Sequence, residues 1–338
     1  MTLVVRAIQP GDLEALYRMA ESTGGGFTNL PPDRATLAAK IERALASFAR
    51  REHAPTDDFF AFVLEDTASG EVRGTCQIFA RIGSNWPFYS YRIGALTQVS
   101  KQLGKTFRAE TLTLCTDLDG STEIGGLFLD PEARNAGAGK LLARSRYLFI
   151  KCHRDLFAQR TIAELRGTLD EHGSSPFWDG LAGRFFGMPF RDADEFNAIH
   201  GNQFIADLMP KHPIYTSMLP DAARAAISVP HRNGLAAMRM LEQEGFAFEC
   251  YVDIFDGGPT MIAETDRIGT VSGARSATVA AIADGDGGDE SLIAAGALSE
   301  FRCCRGTVAP CESGVRIDTR SAAALAVDIG STLVHISA

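Results

Sequence analysis

The sequence predicts an α/β protein with a mixed central sheet, on three observations. Short apolar runs alternate with stretches of helical period, a strand-like run closed by Asp130-Pro131 feeds a glycine-rich helix start, and past Thr260 the pattern shifts to short β-like segments. At 338 residues the chain has room for one large domain or two unequal ones.

Leu3 to Ala7 reads as a strand, and Pro10-Gly11-Asp12 opens a helix carrying Leu13, Leu16 and Met19. Phe59 to Glu65 and Val72 to Ala80 flank the polar turn Asp66 to Glu71, a hairpin signal. Ile124 to Leu129 is an apolar strand that Pro131 cannot continue as ladder. From Gly139 a helix repeats apolar residues at Leu141, Leu142, Tyr147, Leu148 and Ile150. Thr161 to Gly167 is a further strand, Asn233 to Glu244 a helix that Gly245 stops, and Ala247 to Phe255 strand material again. The order is β-α-β-β-β-α-β, then helix and strand.

Residues 168–230 form an insertion of about sixty residues, longer than a plain connection should be, and inserted loops of this kind carry specificity. The expected division is 1–262, holding the chemistry, and 263–338, a small β-rich domain. In the latter, Gly314 to Asp318 and Thr332 to Ile336 read as short strands around alanine-rich Ser321 to Val327, beside an acidic glycine-rich loop at Ala283 to Ser291. No chemistry is visible in that tail.

A net charge of −9 argues against a broad nucleic-acid or anionic-membrane surface, so any anionic ligand must be held locally. No stretch approaches the roughly 20 apolar residues of a membrane span, and Met1 to Gln9 lacks the pattern of a signal peptide. A cytoplasmic protein is expected. Seven cysteines, an odd number without ligand spacing, read as reduced structural thiols, and no metal site is expected.

Between the Asp130-Pro131 turn and the helix, Arg134-Asn135-Ala136-Gly137-Ala138-Gly139 keeps bulky side chains away from the helix N-terminus. Bare amides and the positive end of the helix dipole can then approach an anion such as a pyrophosphate, with Arg134 adding charge at the mouth. The loop lacks the Gly-Lys-Ser/Thr ending of a nucleotide P-loop and the spacing of the dinucleotide fingerprint. Arg134, Gly137 and Gly139 after Asp-Pro instead resemble the acyl-CoA loop of the Gcn5-related N-acyltransferase fold.

Wider motifs narrow the resemblance. Thr23-Gly24-Gly25-Gly26 with Leu30-Pro31, Phe62 to Asp66, Phe88 to Arg92, Leu127 to Pro131, Asp170-Glu171-His172-Gly173 with Ser175-Pro176-Phe177-Trp178, Arg184-Phe185-Phe186, His212 to Tyr215 and Tyr251 to Thr260 are similar to the arginine N-succinyltransferase family. The similarity runs in order over residues 1–265. It implies a Gcn5-related acyltransferase sheet with a large insertion, succinyl-CoA as co-substrate without a permanently bound cofactor, and L-arginine as acceptor. It also implies Leu127 as an acyl-CoA contact through its main chain, and His231 as the proton donor. The family pattern Gly-x-Val-His-Pro is replaced here by Ser228-Val229-Pro230-His231-Arg232, with proline before the histidine.

An arginine guanidinium stays protonated at any working pH, whereas an α-amino group with a pKa near roughly 8 is neutral often enough to attack a thioester. The α-nitrogen is therefore the expected nucleophile, and His231 the expected acid for the departing thiolate, with His172 and His212 as competitors. Asp170 and Glu171 are the candidate partners of the guanidinium. Arg92, Arg184 or Lys211 would meet the succinyl carboxylate, and Tyr89, Tyr91 and Tyr215 are either thiol acids or pocket wall. The expected reaction makes N2-succinyl-L-arginine and CoA. Rivals are a subunit of an arginine/ornithine succinyltransferase, an N-acyltransferase with another acyl-CoA, and a non-catalytic acyl-CoA-binding partner subunit; a homo- or hetero-oligomer is compatible with each.

Overall fold

The structure, a computed structural model, describes residues 2–22, 29–50, 54–134, 137–201, 203–285 and 287–338, with the side chains of 198–200 left aside. The Thr23 to Gly26 motif and Asn135-Ala136 of the anion loop lie outside the described residues. The chain forms two compact units, one of residues 1–81, 122–159 and 264–338, the other of 82–121 and 160–263. The boundary expected at 262/263 lies beside the point where the chain re-enters unit 1.

Strands are β1 (Leu3–Ala7), β2 (Phe59–Asp66), β3 (Val72–Phe79), β4 (Ser90–Ser100), β5 (Lys105–Cys115), β6 (Thr122–Leu129), β7 (Arg160–Glu164) and β8 (Ile214–Tyr215). There follow β9 (Ala247–Val252), β10 (Pro259–Glu264), β11 (Arg275–Ile282), β12 (Asp289–Ala295), β13 (Arg302–Cys311), β14 (Gly314–Ile317) and β15 (Thr332–Ser337). The helices used below are α1 (Leu13–Ser22), α2 (Arg34–Ala49) and α3 (Ala138–Cys152).

In unit 1 the strand order is β12-β15-β11-β14-β13-β1-β2-β3-β6. β12 also pairs with β13, so β12, β15, β11, β14 and β13 close into a five-stranded barrel, which leaves those strands no free edge. Val4, Val279, Ile293, Cys304, Ile317, Leu325 and Leu333 fill it. β1 is shared: Val4 faces Cys304 on one side and Glu65 on the other, so barrel and sheet are one hydrogen-bonded surface. Phe149 of α3 is the hub of the adjoining core. It packs on Phe60, Phe62 and Phe48, and also on Phe301 of the tail at 5.1 Å between ring centroids.

Helix α2, which the sequence reading leaves out, starts where Asp33 accepts the Thr36 amide at 2.7 Å. Near α1, buried Arg6 bridges Asp12 at 2.8 Å and Glu65 at 2.5 Å, tying the helix entry to β2.

Unit 2 has the order β7-β10-β9-β4-β5-β8. β4 and β5 pair in continuous register from Ser90 against Cys115 to Ser100 against Lys105, a long hairpin closed by Gly104 at φ +58°. Segment 168–230 is largely short helices and joins this core through Trp178, stacked on Phe255 at 5.6 Å and on Phe186 at 5.8 Å. No helix among the described residues is long and apolar enough to cross a membrane.

Candidate active site

The candidate acyl-CoA elements all lie in unit 1. Register along β3 and β6 runs from Gly74 against Leu129 and Thr75 against Phe128 to Gln77 against Gly125, so Cys76 opposes both Gly126 and Leu127. That is a β-bulge, which frees backbone groups from the ladder and re-aims the strand. Gly126 holds φ +56°, and a Cβ there would lie 2.6 Å from the Gln77 carboxamide carbon, so the bulge requires glycine. Leu127, half-buried, is the residue after it.

Asp130 then accepts the Glu132 amide at 3.0 Å, and exposed Arg134 folds its Nε back onto the Leu129 carbonyl at 3.3 Å. Gly137 takes φ +80° and passes the chain directly into α3, whose first amides have no carbonyl one turn earlier. Gly139 is different: a Cβ there would meet only Leu129 at 3.8 Å.

The side chain packed against Gly137 is the guanidinium of Arg305, from barrel strand β13. Arg305 also lies 3.4 Å from Glu290. Nothing in the sequence pattern marks it, because it stands in the segment that reads as free of chemistry. Beside the bulge, Lys40 and Gln77 both donate to the Asn29 carbonyl, at 2.9 and 3.1 Å. Burial, with Arg43 nearby, brings the Lys40 ammonium down to about 8, while Glu123 opposes that shift.

His231 lies in unit 2. Its amide donates to the Arg166 carbonyl at 2.7 Å, and Pro230 bridges to Gly167. Ring Nδ1 accepts the Asn233 amide at 3.2 Å, which leaves the ring hydrogen of the neutral form on Nε2. Burial, then the charges of Arg166 and Arg232, hold this imidazole below its ordinary pKa. Beneath the segment, Gly167 donates to buried Asp256 at 2.7 Å, and Asp256 donates its amide to Asp253 at 2.8 Å. Burial first, then their mutual repulsion, raises the Asp253 carboxyl; burial raises Asp256 also. This carboxyl pair, inside the Tyr251 to Thr260 motif, is a supporting feature that the sequence reading did not single out.

The structure gives Asp170 a local duty. Its Oδ1 accepts the amides of His172 at 2.8 Å and Ser174 at 2.9 Å, closing a turn, and the Ser174 amide is the main reason its carboxyl sits below the usual range. Glu171, which that turn presents, is exposed and 3.8 Å from the likewise exposed His172 ring. Arg92 lies on the surface, 3.5 Å from Asp117 and over the Tyr251 ring. Arg184, Lys211 and His212 are exposed. Tyr91 is fully buried, and burial pushes its hydroxyl well up. Tyr89 donates to Gln203 at 3.2 Å, and Tyr215 pairs with Thr111. Among the described residues no three His, Cys, Asp or Glu side chains gather as a metal site.

Residues 3–270 match the family model of the arginine N-succinyltransferase beta subunit, and 275–337 that of its C-terminal domain. The chain belongs to the arginine N-succinyltransferase family. It is 46% identical over 277 residues to the arginine N-succinyltransferases of Salmonella paratyphi B and Salmonella newport, covering 82% of this chain and 80% of theirs. The arginine/ornithine succinyltransferase subunit AI from Pseudomonas aeruginosa has the same fold, with a TM-score of 0.90 at 31% identity over 99% of this chain and 98% of that one. The family therefore extends through the barrel, beyond residue 265 where the motif resemblance stops.

Proposed function

We propose that the chain transfers succinyl from succinyl-CoA to the α-amino group of L-arginine, giving N2-succinyl-L-arginine and CoA. Family membership over residues 3–270 carries this reading. The neutral α-nitrogen attacks the thioester carbonyl, the new C–N bond forms as the C–S bond breaks, and the proton lost by nitrogen ends on the thiolate sulfur. His231 carries that proton: the ring takes it up from the attacking nitrogen to become imidazolium and then gives one to the thiolate, and its lowered pKa favours that release.

Unit 1 supplies the Gcn5-related acyl-CoA elements in this reading. The bulged main chain at Leu127 bonds the amide arm of CoA, and the amides at Gly137 and Gly139, with Arg134, hold its diphosphate. Lys40, a desolvated cation beside the bulge, is our candidate for the succinyl carboxylate in preference to Arg92, which is already paired with Asp117. In unit 2, segment 168–230 selects the amino acid. Asp170 shapes the turn and Glu171 presents its carboxylate to the guanidinium. The beta-subunit description of the family and the subunit AI relative support assembly with further subunits.

A thiol-release assay crossing succinyl-, butyryl- and acetyl-CoA with arginine and ornithine tests this. Butyryl-CoA replaces the succinyl carboxylate with a methyl group, so it isolates that charge. Fastest release with succinyl-CoA and arginine is expected; preference for an uncharged acyl group sinks the assignment.

A further inference from the structure

We propose that Arg305, from the C-terminal barrel, is a CoA phosphate ligand, its guanidinium acting with the amides that open α3. The inference rests on the acyl-CoA reading of that loop and adds a residue from a segment with no assigned chemistry.

The position is specific. A side chain on Gly137 would run into Arg305 Nη1 and lie 3.1 Å from its Cζ, so the guanidinium covers the left-handed residue that opens α3. The location is electrostatically odd for a cation. A fifteen-residue helix presents its positive end there, which repels a guanidinium and attracts an anion. Glu290 lies 3.4 Å away on the more exposed side of the pair, its side chain 66% exposed against 30% for Arg305, so the acid does not block the approach of an anion. A dianion at this point meets both the guanidinium and the amides, and the planar fork of arginine fits two phosphate oxygens at once.

Rigidity supports the same assignment. Arg305 sits opposite Leu292 in the β12–β13 ladder, and β13 is also paired to β1 and β14, so its backbone cannot swing away from the loop. In a chain of net charge −9, a polyanionic substrate needs such fixed local cations.

The test compares Arg305→Ala, Arg305→Lys and Gly139→Val in the full chain, with succinyl-CoA and with succinyl-pantetheine, which carries the thioester but no diphosphate. Arg305→Ala should raise KM for succinyl-CoA by about 10- to 100-fold, the usual weight of hydrogen bonds to a charged group. Its kcat, its KM for arginine and its rate with succinyl-pantetheine should stay as in the parent. Arg305→Lys should recover part of the loss, since it restores charge without the fork. Equal losses on both thioesters would mean that Arg305 only holds the fold, which overturns the proposal. An unchanged KM in Arg305→Ala beside a raised KM in Gly139→Val overturns it while sparing the loop reading. No change in either variant overturns both.

Discussion

Gly137 and Gly139 stand two residues apart, and the structure separates what each contributes. Gly139 has room for a side chain and an ordinary helical backbone, so Gly139→Val exchanges one weak helix former for another and should change stability by only ~0.3 kcal/mol. Its methyl groups, however, would stand among the first amides of α3, and a diphosphate kept from even one charge-assisted hydrogen bond loses ~1.5–3 kcal/mol, a tenfold or greater loss of affinity. Gly137→Val meets the opposite situation. A left-handed backbone costs a non-glycine residue ~1–2 kcal/mol, and the new side chain must also displace Arg305. At roughly 2–4 °C per kcal/mol that is a fall of several degrees in Tm. Scanning fluorimetry for stability and titration calorimetry with CoA measure the two axes separately. A Gly139→Val protein that binds CoA like the parent would refute the amide cradle; one that melts several degrees lower would refute the packing argument.

His231→Ala should lower kcat by roughly 10² to 10⁴ while CoA binding by calorimetry is unchanged; a near-normal kcat moves the proton donor elsewhere. The Asp253–Asp256 pair sets a pH limit: Asp253 is pushed up to about 8 by burial, so the folded state keeps a proton that the unfolded chain has lost above the ordinary carboxylate range. Stability should therefore fall as pH rises above the ordinary carboxylate range and level off once the folded-state carboxyl has also lost its proton, and Asp253→Asn, which needs no proton, should flatten that fall in denaturant titrations. Glu171→Gln should lower the arginine-to-ornithine ratio with little change in KM for succinyl-CoA, and an unaltered ratio places the guanidinium site elsewhere.

The strand-loop-helix of 122–152 was legible because each of its signals is local: an apolar run, an Asp-Pro stop, glycines, then a 3.6-residue period. The hairpin of β4 and β5 was not, since residues 95–99 and 105–108 are exposed and their sequence, with Gln98, Lys105 and Arg108, never shows a buried face. Asp170 looked like a ligand because acids beyond a strand suit either role, and only the amides of His172 and Ser174 decide that it closes a turn. Arg305 was beyond reach for another reason. Its meaning depends on Gly137, and a pairing across so much intervening chain leaves no periodic trace.

The ladder between Val4 and Cys304 also has a consequence in time. During synthesis the first strand of the sheet must wait for a partner about 300 residues away, which at typical elongation rates is a delay of about 15–60 s. Through that interval β1 has β2 on one side and an unpaired edge on the other. Folding of unit 1 can then finish only after β13 has left the ribosome, so the nascent chain depends on whatever shields that edge until then.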